Sequence, residues 1–184
     1  MSINLLKNVQ QNLKYPPLKK VDPNIQDVAL DPTVPDTNRF GQAAIPSILI
    51  ALYRFLKTDE GAKVILGENN STNWVDILFA DRKAEAISNI ASYSFYTHTN
   101  SEADMNAIAS EAIRLIKEHV TGTDPVKAIE KTMSAERDGI LPYLPAVLNM
   151  GNILGDETLD DKTNKMEGPI SSLMHKIETG FSNP

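Results

Sequence analysis

The chain has 184 residues, a formal net charge of −6 and no cysteine, so disulfides, thiol nucleophiles and thiolate metal sites are excluded. Apolar residues make up 41% of the sequence and aromatics 6%, which excludes wholesale disorder and points to one aliphatic core burying roughly 70% of the unfolded surface. Ten acidic side chains face six basic ones after residue 120 and no basic stripe gathers anywhere, so a nucleic-acid partner is not expected.

Residues 1 to 37 read as an N-terminal helical arm followed by a linker. Ser2 is placed to cap a short helix whose apolar positions Leu6, Val9 and Leu13 are three and four apart, and Tyr15-Pro16-Pro17 ends it. Prolines 23, 32 and 35 with aspartates 22, 27, 31 and 36 then read as an extended connection. A helical domain over 38 to 184 is expected to follow. Met1 to Lys7 lacks a charged leader with a sustained apolar run. No stretch approaches the roughly 20 apolar residues of a bilayer span, so the cytoplasm is the expected setting.

The domain opens with a central helix over Asn38 to Leu56, in which Phe40, Ala44, Ile48, Leu49, Leu52 and Phe55 recur at helical spacing. Pro46 lies inside it, and Pro145 lies inside a second apolar segment, Tyr143 to Gly151, so each proline is expected in a first turn or at a kink. Thr58 offers a cap for a helix through Leu66, and Trp74, Ile77 and Leu78 form a further short turn. Asp81 is placed to cap the next helix, with Ala84, Ile87, Ala91 and Phe95 on its buried side.

Ser101 to Asp104 resembles a capping box at the start of a helix with Met105, Ile108, Ala109, Ala112, Leu115, Ile116 and His119 on one face. Thr123-Asp124-Pro125 supplies a cap and a first-turn proline for a helix continuing through Val126, Ile129 and Met133. A helix over Ile140 to Leu154 is expected next. Gly168-Pro169 starts a last one with Ile170, Leu173, Met174, Ile177 and Phe181 as its stripe. With no alternating runs or hairpin turns, the fold class is all-α, a multihelical single domain of about eight helices.

Chemistry-bearing patterns are sparse. Asp156, Thr158, Asp160, Asn164 and Glu167 occupy the oxygen-ligand positions of a twelve-residue calcium loop, but Asp161 stands where that loop wants glycine and Lys162 and Lys165 add positive charge. The alternative is an acidic connection that caps a helix and solvates the surface. His98, His119 and His175 have no zinc-binding spacing. His119, on the apolar side near a helix C-terminus, suits packing or capping, and Glu111 and Glu118 read as solvated helix faces. No nucleophile elbow, phosphate loop or dinucleotide fingerprint occurs, so no catalytic residue and no cofactor is assigned.

Gln42-Ala43-Ala44-Ile45-Pro46-Ser47-Ile48-Leu49, then Glu60-Gly61-Ala62 and Ile77-Leu78-Phe79, resemble the helical bacterial YidB-like domains over residues 38 to 120. The glycine-rich stretches common in that group are missing here. The resemblance implies a multihelical bacterial protein without an assigned activity and carries over no functional residue. The expected function is non-catalytic protein–protein contact, with a protein partner or a second copy, through the two amphipathic terminal helices. The alternatives are a small-ligand binder or hydrolase using a pocket beside the proline segments, where carbonyls of Gln42 or Leu141 lose a donor, or a divalent-cation protein using residues 156 to 167.

Overall fold

The computed structural model describes residues 3–28, 35–67, 72–96, 98–120 and 123–159. Among them the chain forms α1 (Leu5–Asn12), α2 (Asp36–Phe55), α3 (Asp59–Gly67), α4 (Trp74–Phe79), α5 (Lys83–Ser94), α6 (His98–His119), α7 (Pro125–Ile140) and α8 (Met150–Leu154), with four 3₁₀ turns. The fold is all-α. Among the described residues the one β feature is an isolated bridge between Asp22 and Asp27. The helix expected from Gly168 lies outside the described residues.

α2 is the axis of the molecule. Every residue from Arg39 to Leu52 is buried, the pattern of a helix apolar all round and enclosed by neighbours. α1, α4, α5, α6, α7 and α8 all touch it. Pro46 sits in the middle of α2, where it supplies no N–H to the carbonyl of Gln42. One residue on, the Ser47 hydroxyl donates to the Ala43 carbonyl at 2.7 Å. α1 joins the same core through Leu5, Leu6 and Val9. Its cap is Asn4, whose Oδ1 accepts from Lys7 N–H, where the sequence had suggested Ser2.

Caps expected at Thr58 and Asp124 are present: Thr58 Oγ1 accepts from Gly61 N–H at 3.2 Å and Asp124 Oδ1 from Lys127 N–H at 3.2 Å. Two expected helix starts are corrected. Asp81 does not cap α5, because a 3₁₀ turn at Ala80–Arg82 precedes it. α6 begins three residues before Ser101, at His98, and Ser101 is buried.

The expected helix over Ile140 to Leu154 is in fact two 3₁₀ turns, Leu141–Tyr143 and Ala146–Leu148, followed by the short α8. Prolines 142 and 145 each remove a donor, and Leu144, preceding a proline, is forced to an extended ψ of 111°.

Candidate functional site

Among the described residues, three large apolar side chains are left out of the core: Ile25 is 59% exposed, Phe95 69% and Val147 65%. Hydrogen bonds knit together the segments that bear them. Ile25 stands in a turn closed by Asp22 N–H donating to the Asp27 carbonyl at 2.9 Å and Gln26 N–H to the Asp22 carbonyl at 2.8 Å. The Gln26 carbonyl in turn accepts from Ala146 N–H at 3.1 Å, beside Val147. Asp27 Oδ1 accepts from Val28 N–H at 2.7 Å and from the Tyr93 hydroxyl at 2.9 Å, two residues before Phe95. Asn89 of α5 donates to the Leu148 carbonyl at 3.1 Å.

Phe95 was expected on the buried side of α5. The helix ends at Ser94, and Phe95 takes a left-handed φ of 56° as its C-cap. That reversal turns Phe95 to the surface, while Tyr96 stacks on Phe40 with ring centroids 4.7 Å apart and donates to Asp104 at 2.9 Å. The guanidinium of Arg39 lies 5.1 Å from the centre of the Phe95 ring. Ala84, also placed on the buried side, is exposed, and Ala86 and Ile90 take that face. Burial, then the bond to Asp27, pushes the Tyr93 phenol well above its ordinary range.

A groove of about 570 Å³ runs between α1, residues 17 to 20 and the end of α7, with Lys7, Lys20, Glu136, Gly139, Pro142 and Tyr143 among its walls. Glu136 Oε2 accepts the Leu5 N–H at 2.9 Å. Gln42 clamps the far side: its Oε1 accepts Lys19 N–H at 2.8 Å, and its Nε2 donates to the carbonyls of Lys19 and Tyr143 at 3.0 and 3.1 Å. Pro17 and Pro142 line this groove, whereas Pro46, Pro145, Gln42 and Leu141, beside which a pocket was expected, do not.

Of the calcium-loop residues, Asp156 and Thr158 are described, and Asp160, Asn164 and Glu167 lie outside the described residues. The Asp156 carboxylate accepts from Lys57 Nζ at 2.8 Å and from the Thr158 hydroxyl at 2.5 Å, with Arg54 Nε at 4.0 Å. Burial opposes its ionisation, but the bonds from Lys57 and Thr158 outweigh it and hold the carboxyl below its usual range. Among the described residues no group of three or more His, Asp or Glu is arranged to hold a metal ion. His119 lies in the last turn of α6; the His98 side chain and His175 lie outside what is described.

Glu111 is not merely solvated. It accepts from Asn12 at 2.7 Å across the α1–α6 seam and is paired with Arg114 at 2.7 Å. No helix among the described residues is long and apolar enough to cross a membrane. Comparison with protein-family models, with curated proteins and with solved structures gives no match.

Proposed function

We propose that this chain is a non-catalytic protein–protein interaction module, bacterial and cytoplasmic in setting, that meets its partner at the end bearing Ile25, Phe95 and Val147. The observation that carries the reading is the exposure of these three side chains on segments held to one another by backbone and side-chain hydrogen bonds. Scattered apolar residues are ordinary at a surface, but exposed ones on segments bonded to one another are suited to a contact surface. Phe95 fits an anchor role because its ring is presented by a helix end and backed by Arg39.

The test is affinity purification of the full chain beside a Phe95→Glu, Val147→Glu variant shown to be folded. A partner retained by the parent chain and lost by the variant supports the reading. An identical set of bound proteins, or none, defeats it.

The groove along α1 supports a second reading, a small-ligand binder or hydrolase, because its volume of about 570 Å³ falls in the range of roughly 300–1,000 Å³ typical of ligand sites. Saturable turnover or a ligand-dependent thermal shift that Gly139→Leu abolishes supports this reading over the first. Calcium titration followed by the fluorescence of the buried Trp74 tests the cation reading of residues 156 to 167.

A further inference from the structure

α1 has eight residues, too few to persist alone in water, so it exists as a helix only where it is docked. Its docking consists of Leu5, Leu6 and Val9 in the core, the Leu5 N–H on Glu136 and the Asn12 amide on Glu111. The chain leaves it through a Schellman turn: Lys14 N–H donates to the Gln11 carbonyl at 3.1 Å and Tyr15 N–H to the Gln10 carbonyl at 2.9 Å. The residue in the left-handed position is Lys14, with φ of 60°. Glycine or asparagine normally stands there, and a lysine in that conformation is strained.

Beyond Lys14 the chain also has anchors outside α1. The Tyr15 ring lies against Gly41, the backbone of Lys19 is bound on both sides by Gln42, and Val21 N–H donates to the Pro142 carbonyl at 2.8 Å. Between two docked segments, the strained residue is the joint.

We propose that α1 exchanges between two copies of this chain. Lys14 passes from the left-handed to the extended region, and Leu5, Leu6 and Val9 of one copy fill the slot between α2, α6 and α7 of the other. The core contacts and the bonds to Glu136 and Glu111 are remade and only the turn at Lys14 opens, so the balance is set by the joint and by protein concentration. Tyr15-Pro16-Pro17 keeps the following residues extended in both forms. The exchange uses none of Ile25, Phe95 or Val147, so it holds or fails separately from the contact reading.

The absence of cysteine makes the test clean. Full-length Asn12→Cys and Glu111→Cys variants are purified separately, mixed over a range of concentrations and treated with a short bis-maleimide. The expected result is a covalent link from position 12 of one chain to position 111 of another, rising with concentration, and reduced about five-fold by Lys14→Gly, which relieves the strain of the closed form. A link that forms only within single chains of an Asn12→Cys, Glu111→Cys double variant, with none between the mixed chains, overturns the exchange. Failure of Lys14→Gly to change the yield overturns the role given to the joint.

Discussion

The backbone N–H of Leu5 donates to Oε2 of Glu136 at 2.9 Å, a bond between residues 131 apart in sequence that fixes the start of α1 on α7. Glu136 is only 8% exposed. Replacing it with alanine leaves a buried donor short of its acceptor and is expected to cost about 1–3 kcal/mol. Glu136→Gln keeps an oxygen in place and should lose much less. Urea unfolding of both variants checks this, and an alanine variant as stable as the parent would contradict the capping role.

Two glycines in helices should respond with opposite signs to the same substitution. A Cβ on Gly61 would lie 2.1 Å from the Phe55 carbonyl oxygen, and that oxygen belongs to backbone that has little room to retreat. Gly61→Ala is therefore expected to destabilise by about 1–3 kcal/mol. Around Gly139 a Cβ meets nothing within 4 Å, so Gly139→Ala should stabilise α7 by about 0.5–1 kcal/mol through helix propensity. Thermal unfolding of the pair decides it; shifts of the same sign would mean one environment is misread.

On α6 the buried line runs through Met105, Ile108, Ala112 and Ile116, each fully enclosed, while the neighbouring Leu115 is half-buried. Ile116→Asp places a carboxylate where it has no water and is expected to cost several kcal/mol, enough to unfold a marginal domain. Leu115→Asp can turn its charge outward and should cost clearly less. Circular dichroism and solubility of the two variants measure the difference, and equal damage would contradict the assigned face.

Burial, reinforced by Asp104 and Tyr96, raises the Tyr15 phenol from its ordinary value to about 12. In the unfolded chain Tyr15 loses its proton near pH 10, while the folded chain holds it to higher pH. Its contribution to stability is thus complete below the unfolded value and is lost as pH rises through the folded one. Denaturant midpoints between about pH 9 and about pH 12 should fall for the parent chain and fall less steeply for Tyr15→Phe. Parallel slopes would contradict the burial of this phenol.

The sequence disclosed the parts of the fold whose signals are local. Asp124 before Pro125 marks the start of α7 without help from the rest of the chain, and the apolar periodicity of α6 marks its buried face. α2 was legible as central because apolar residues occur on every side of it. Misreadings arose where spacing was followed past a local stop. Phe95 continues the periodicity of α5, yet the helix closes one residue earlier, and Pro142 and Pro145 turn an apolar run into two tight turns.

The candidate surface was scarcely legible. Ile25, Phe95 and Val147 share no motif and are brought into relation by bonds such as Gln26 to Ala146, 120 residues apart, and Asp27 to Tyr93, 66 residues apart. Charge and spacing do not encode such pairings. The strained Lys14 was likewise invisible, since no glycine or asparagine announces a left-handed residue there.

The most direct measurement of the central claim is site-specific photo-crosslinking of the full chain in living cells, with the reactive group at position 95 or, as control, at position 114, an exposed site on α6. A contact surface at the Ile25, Phe95 and Val147 end gives one reproducible crosslinked protein from position 95 and none from 114. Indistinguishable products from the two positions, or no product from 95, would contradict it.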